Sequence, residues 1–251
     1  MTRTIGIISG KGGVGKTTVA ANLGAALAHR FKKDVTVVDC NLTASHLSLL
    51  LGMHYHPITL NHVLRNEKHI SEAVYEHPSS MKVIPASLQL KDLIKADITK
   101  LGKHLKKLKG KTDIIFLDSS PGLGREASAA IDASEEILFV TKPDILSVSD
   151  VIRGKELIDK IKKEQIGVVM NMVTGGSHEL TKKEIEKMTN LPVVAVIPHD
   201  INVSKSLEFR TPVVLHKPNS AASKELRKLA GFIIDEKELR LWDKLIRFLK
   251  T

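Results

Sequence analysis

Short apolar runs rich in valine and isoleucine alternate along the chain with longer stretches in which apolar positions recur every three or four residues. The first pattern predicts strands and the second amphipathic helices. Strands are expected at Thr4–Ser9, Asp34–Asp39, Lys82–Pro85, Asp113–Asp118, Glu136–Thr141, Gly167–Asn171 and Val193–Ile197. Helices are expected at about Lys16–Arg30, Leu88–Leu108, Ser147–Lys163, His178–Thr189 and Ser220–Ile234. Several strands, such as Ile114-Ile115-Phe116-Leu117, are apolar without interruption, as strands covered by helices on both faces should be. The alternation predicts an α/β chain of three layers around a doubly wound, mainly parallel sheet. No repeat or low-complexity linker divides it, so residues 1–236 are expected to form one domain, with 237–251 set apart as a C-terminal amphipathic helix.

One segment breaks the pattern and carries the strongest chemical signal. Gly10-Lys11-Gly12-Gly13-Val14-Gly15-Lys16-Thr17 matches G-x-x-x-x-G-K-[ST] and lies between an expected strand and an expected helix, the setting that this motif requires. There the glycines let successive backbone N–H groups turn toward phosphate oxygens, and the helix adds the positive end of its dipole. Lys16 is expected to reach the β- and γ-phosphates, and the Thr17 hydroxyl to ligate Mg²⁺. Asp118, at the end of an apolar strand, reads alone either as a helix cap or as an acidic group beside Mg²⁺; the phosphate loop upstream favours the metal.

Composition sets limits around that site. Apolar residues make up 42% and charged residues 26% of 251, the usage of a soluble globular protein, which excludes a disordered or collagen-like chain. A single cysteine, Cys40, excludes an internal disulfide and a zinc or iron–sulfur site of paired thiolates within one chain. No apolar run approaches the ~20 residues of a spanning helix, and the N-terminus enters the glycine loop before a signal core forms, so a cytoplasmic chain is expected. The net charge of +10 favours an anionic partner such as a nucleotide, nucleic acid or acidic membrane. Within Lys91–Lys111, eight lysines face only Asp92 and Asp97. This run reads first as the solvated side of a helix with Leu90, Leu93, Ile94, Leu101, Leu105 and Leu108 turned inward, and second as a docking face for DNA or an acidic protein. His54-Tyr55-His56, just before Pro57, reads as a surface turn, since a metal would need a further convergent ligand.

The string Lys11–Thr18, KGGVGKTT, resembles the deviant Walker A loop of the MinD/ParA family of P-loop ATPases. The resemblance covers nearly the whole chain. Val35–Gly52 is similar to the family's switch I region, and Asp113–Gly124 to its Walker B strand and switch II. Val168–Val173 is similar to the strand whose asparagine reads the adenine edge, Val196–Asp200 to the loop over the base, and Pro212–Lys224 to the segment before the last helix. The resemblance implies ATP and Mg²⁺ as cofactors. Gly10, Lys11, Gly12, Gly13, Val14, Gly15, Lys16, Thr17 and Thr18 would hold the phosphates, Asn171, Pro198 and Asp200 the base, and Thr17, Asp39 and Asp118 the metal. The implied catalytic set is Lys11, Lys16, Asp39, Asn41 and Asp118. In the family the lysine matching Lys11 crosses an ATP-sandwich dimer to the partner's phosphates, so an ATP-dependent homodimer is expected.

Family members commonly carry D-x-D in switch I, and here Asp39-Cys40-Asn41 places an amide second. An amide orients water but does not accept its proton at neutral pH, so slow basal hydrolysis is expected. In the tail, Leu239, Leu241, Trp242, Leu245, Ile246, Phe248 and Leu249 share one half of a helical wheel, and Arg240, Asp243, Lys244, Arg247 and Lys250 the other. Such a helix suits an acidic membrane surface; the alternative is a terminal helix docked on its own domain. Members of the MinD branch end in such a membrane helix, whereas the ParA branch holds DNA through basic residues. The lone cysteine does not fit the family's iron–sulfur carriers. The paired cysteines of its tail-anchored-protein targeting ATPases and the tyrosine cluster of its bacterial kinases are also missing. A membrane-cycling ATPase of the MinD type is therefore expected: cytoplasmic, peripheral to the membrane when ATP-bound, and working with an activating or cargo protein. The alternatives are a ParA-type ATPase bound non-specifically to DNA and a nucleotide-switched scaffold that barely hydrolyses.

Overall fold

The computed structural model describes residues 2–248, with side chains through residue 234 apart from residue 90. The strands are β1 (Arg3–Ile8), β2 (Val35–Asp39), β3 (Tyr75–Glu76), β4 (Lys82–Ile84), β5 (Ile114–Asp118), β6 (Glu136–Thr141), β7 (Glu164–Val173) and β8 (Val193–Pro198). The α-helices are α1 (Lys16–His29), α2 (Leu47–Leu50), α3 (Leu60–Leu64), α4 (Leu101–Leu105), α5 (Arg125–Ala133), α6 (Ile145–Lys160), α7 (Lys182–Thr189), α8 (Ile201–Glu208), α9 (Val213–His216) and α10 (Ala221–Phe248). The eight strands form one sheet in the order β3-β4-β2-β5-β1-β6-β7-β8. Only β3 runs antiparallel, pairing with β4 at the edge. Every other strand therefore ends on the same side, and the loops that follow β1, β2 and β5 meet there.

Uninterrupted apolar strands are buried on both faces, as expected. Val37 packs into the cluster beneath α1, α9 and α10, while Val38 next to it packs into the cluster beneath α3 and α4. α1 is enclosed between the sheet and α10, and its alanines and Gly24 let it lie close. A Cβ on Gly24 would stand 2.6 Å from a methyl of Val37, a separation no side chain tolerates. β1 and α1 are thereby held rigidly at either end of the glycine loop.

All seven expected strands and four of the five expected helices are present, with shifted ends. The expected helix at His178–Thr189 starts only at Lys182, where Thr181 accepts the Glu184 N–H at 3.3 Å. The helix expected from Ser147 starts at Ile145, capped by Asp144, which accepts the Ser147 N–H at 2.9 Å. α10 continues through the expected division at residue 236. The membrane face assigned to Leu239, Trp242, Leu245, Ile246, Phe248 and Leu249 lies outside the described side chains, and Leu249 outside the described residues altogether.

The fifth expected helix, Leu88–Leu108, does not form as one element. It is broken into a 3₁₀ turn at Leu90–Leu93, another at Ile98–Lys100, α4, and a last 3₁₀ turn at Lys106–Leu108. A continuous helix would give the Asp92 carbonyl to the Ala96 N–H. Instead that carbonyl accepts from Asn61 Nδ2 and Arg65 Nη1, both at 3.0 Å. Lys95 then takes a positive φ of 63°, and the chain restarts where Asp97 caps Thr99. Of the residues expected to turn inward, Leu101, Leu105 and Leu108 are buried, whereas Ile94 is 65% exposed. The eight lysines of this run are all exposed, so their solvated reading holds although the helix does not. The sequence pattern also missed α2, α3, α5, α8 and α9. Four of these have eight residues or fewer, and α5 buries mainly alanines, Ala127, Ala129 and Ala130, which leave little periodic signal.

α4 buries His104 with neither ring nitrogen hydrogen-bonded. Burial first, then the charges of Lys107, Lys103 and Lys100, hold its pKa below the usual value. The fold favours the neutral ring, so this contribution to stability is complete above the unfolded pKa of about 6.5 and is lost as pH falls below it. In urea unfolding at pH 7 and pH 5, His104→Leu should be at least as stable as the wild type at pH 7 and should lose less stability on acidification.

Candidate functional site

Asp39 and Asp118 close β2 and β5 as direct partners in the parallel ladder, so the two carboxylates stand side by side at the carboxyl edge of the sheet. Both are buried. Lys16, at the start of α1, reaches back to them; its Nζ lies 3.2 Å from Asp118 Oδ1 and also donates to the Ser119 carbonyl. Asp39 accepts three hydrogen bonds, from Ser45 Oγ at 2.7 Å, Asn41 N at 3.1 Å and Leu47 N at 3.3 Å. Burial and the charge of Asp118 nevertheless outweigh these, and its pKa is pushed up to about 7. Two buried carboxylates thus stand beside one ammonium, which bonds Asp118, leaving a local deficit of positive charge. A divalent cation with phosphate oxygens around it fits that deficit, because Mg²⁺ takes few protein carboxylates and completes its shell with phosphate and water. Asp39 and Asp118 stand at this deficit on the strand ends, and Thr17 lines the neighbouring cradle.

The glycine loop forms a cradle of about 350 Å³ lined by Lys11 through Thr18, with Asn41, Ala44, His46 and Pro121 across from it. Gly15 has φ 86° immediately before α1, and a Cβ there would collide with the Asn171 side-chain amide. A Cβ on Gly13 would meet nothing within 4 Å, which leaves the loop's mouth open. Lys11 lies exposed at this mouth; against burial, the hydrogen bonds from Ser147 and then the charges of Lys11 and Lys142 hold Asp144 below the usual carboxylate range. Gly122 of the loop after β5 donates its N–H to Ser9 O at 2.9 Å, so this loop rests on the start of the cradle.

Asn171, at the end of β7, donates Nδ2 to the Val14 carbonyl at 2.8 Å and so joins the cradle to a second, smaller pocket of about 90 Å³. Thr18, Met172, Pro198, His199, Asp200 and Leu226 help line that pocket. Pro198 and Asp200 thus line one pocket with Asn171. The Asp200 carboxylate is, however, committed locally: it accepts Asn202 N at 2.9 Å and Ala222 N at 3.0 Å, capping α8 and the start of α10. Asn41 Oδ1 accepts the Ala44 N–H at 3.2 Å, which fixes the amide while its Nδ2 makes no hydrogen bond among the described residues. Two contributors were not singled out in the sequence. Ser45 is buried against Asp39, and Thr43 donates Oγ1 to Glu126 at 2.6 Å, tying the segment after β2 to α5. Both are partnerships across loops and leave no mark in spacing.

A family model described as ParA, an NUBPL iron-transfer P-loop NTPase, matches residues 1–234. An uncharacterized ATP-binding protein of Methanocaldococcus jannaschii is 37% identical over 237 residues, covering 94% of this chain and 89% of that protein. The crystal structure of the Pyrococcus furiosus cell division ATPase MinD superposes with a TM-score of 0.90 at 36% identity, covering 94% of this chain and 99% of that one. The Pyrococcus horikoshii septum site-determining protein MinD, complexed with Mg-ADP, superposes with a TM-score of 0.89 at 34% identity, covering 93% and 96%.

The raised pKa of Asp39 has a definite sign. Between about pH 4 and pH 7 the unfolded chain has lost this proton and the folded protein keeps it, so folding stability without nucleotide falls as pH rises through that window. Asp39→Asn should stabilise the nucleotide-free protein at pH 7.5 by on the order of 1–3 kcal/mol in urea unfolding, while flattening that pH dependence. Lys16→Ala should do the opposite, leaving both carboxylates without their cation.

Proposed function

The chain belongs to the ParA family of P-loop NTPases, and on that premise we propose that it is an ATPase of the MinD type using ATP and Mg²⁺. Bound Mg²⁺ would supply charge neutralisation at the β- and γ-phosphates. The carrying observation is the buried Lys16 ammonium, bonded to Asp118 beside Asp39 at the open glycine cradle. In the nucleotide-bound state the Lys16 ammonium would turn from Asp118 to the phosphates, and Thr17, Asp39 and Asp118 would hold the metal. Asn41 orients the attacking water through its free Nδ2. Because phosphoryl transfer depends mostly on positioning and charge, replacing a base with this amide slows hydrolysis without abolishing it. Asn171 and Pro198 receive the base.

In this reading Lys11 reaches the nucleotide of a second copy, so that ATP binding and dimerisation are one event. Two facing phosphate sites need positive charge at their seam, and an exposed lysine at the mouth of each cradle supplies it. The C-terminal residues 237–251 then bind an acidic membrane surface; one such helix binds weakly, and two in a dimer gain avidity. The protein would cycle between cytoplasm and membrane as a spatial regulator, placing a division site or another apparatus together with an activating or cargo protein. The second reading, a ParA-type ATPase on DNA, draws on the eight exposed lysines within Lys91–Lys111. Iron transfer draws no support from Cys40. Its thiol is fully buried behind Asp39, and burial, then the charges of Asp39 and Asp118, push its pKa well above the usual value.

Pelleting with acidic-lipid vesicles in ATP and in ADP should retain the full-length protein only in ATP, and a chain ending at Glu236 should stay in solution. ATP-promoted DNA binding with no vesicle pelleting would replace the membrane reading with the partition reading. In single-turnover hydrolysis, Asn41→Asp should raise the rate; an unchanged rate would remove Asn41 from the mechanism.

A further inference from the structure

A second cleft, larger than the phosphate cradle, lies away from the nucleotide site. It measures about 830 Å³, against about 350 Å³ for the phosphate cradle and about 90 Å³ for the base pocket. It lies at the far end of α1, which at about 1.5 Å per residue carries it roughly 20 Å from Lys16. Four separate parts of the chain build it: the end of α1, the loop after α2, the turn between β3 and β4, and the segment from Phe209 through α9, with α10 behind. Its polar lining is basic residues and the hydroxyls of Ser79 and Thr211. Arg30, Arg210 and Arg227 face it with His29, His54 and His77, and no carboxylate lines it.

The arginines are placed for a ligand more than for one another. Arg227 is half-buried, and neither it nor Arg30 forms an ion pair or side-chain hydrogen bond among the described residues. The Arg210 guanidinium meets the His54 ring, a contact between two bases that leaves its other donors unspent, and its backbone is held at φ 49° by the turn closing α8. His77 is buried, with its Nδ1 2.9 Å from Ser79 Oγ, so that wall is fixed. At the rim, Phe209 is 63% exposed and stacks on His216 with ring centroids 4.5 Å apart, presenting an open aromatic face beside the guanidinium groups.

We propose that this cleft is a second ligand site, binding a phosphorylated small molecule with a planar ring, of mononucleotide size, separate from the glycine-loop nucleotide. Guanidinium forks bind carboxylate and phosphate oxygens two at a time, and three of them around one cleft match the greater charge and oxygen count of a phosphate. The volume falls within the range of about 300–1,000 Å³ typical of small-molecule pockets, and the enclosure from four chain segments distinguishes it from a flat basic surface. The phosphate lies among Arg30, Arg210 and Arg227, and the ring lies on Phe209. Because α1 carries Lys16 and Thr17 at one end and His29 at the other, occupancy of the cleft bears on the helix that holds the triphosphate.

Calorimetric titration of the full-length protein, with its glycine loop filled by saturating Mg·ADP, tests this with AMP and ribose 5-phosphate as probes. The expected result is one saturable site per chain for each probe, with AMP several-fold tighter. The Arg30→Gln, Arg227→Gln double variant should weaken both at least tenfold and leave Mg·ADP affinity within twofold. Phe209→Ala should remove the preference for AMP. Absence of saturable binding, or binding undiminished in the double variant, overturns the site; equal affinity for the two probes overturns the assignment of the ring to Phe209. Mg·ADP affinity is read separately, so failure of the cleft is distinct from failure of the ATPase reading.

Discussion

Asp39 and Asp118 are neighbours in a parallel ladder, both buried, with the Lys16 ammonium bonded to Asp118. A buried like-charge pair is costly unless something neutralises it, and the protein meets that cost only in part. Lys16 bonds to Asp118, while Asp39 relies on one hydroxyl and two backbone N–H groups and still holds its proton to about pH 7. The remaining demand for positive charge is what makes the site receptive to a metal–phosphate ligand. It also sets the local structure around it. The loop after β2 curls so that Asn41, Ser45 and Leu47 serve one carboxylate, and the loop after β5 passes over the glycine cradle to reach Ser9.

The sheet supplies the rigidity this arrangement needs. Strands buried on both faces cannot shift register without moving a whole apolar row to the wrong cluster, so the two aspartates are level because Val37, Val38, Phe116 and Leu117 are packed. α1, made narrow by alanine and glycine, is locked between that sheet and α10. Its N-terminus carries the phosphate-binding residues and its other end borders the basic cleft. A rigid helix shared by both places gives the cleft a mechanical connection to the nucleotide site.

Cys40 and His104 mark two uses of burial. Cys40 sits behind the aspartates as a small apolar filler whose thiol stays protonated. His104 is an unpartnered ring in a helix ringed by lysines, tolerated because the ring is neutral at ordinary pH. Neither belongs to the chemistry of the phosphate site.

Much of this was legible in the amino-acid order. Apolar continuity marked the strands, and the glycine–lysine–threonine string between strand and helix marked the phosphate cradle, because backbone N–H groups need no distant partner to form a nest. Strand-end positions marked Asp39 and Asp118 for the same local reason. The unity of Leu88–Leu108 was not legible, since what breaks it is a pair of donors, Asn61 and Arg65, that take the Asp92 carbonyl from another part of the chain. Nor were the Ser45–Asp39 and Thr43–Glu126 bonds, the spending of Asp200 on two helix caps, or the gathering of Arg30, Arg210 and Arg227 into one cleft. Periodicity and motif spacing report what a residue does with its near neighbours along the chain. Which carbonyl, carboxylate or guanidinium it meets from far away is decided only when the layers close, because those partnerships depend on three-dimensional separation and on exclusion of water.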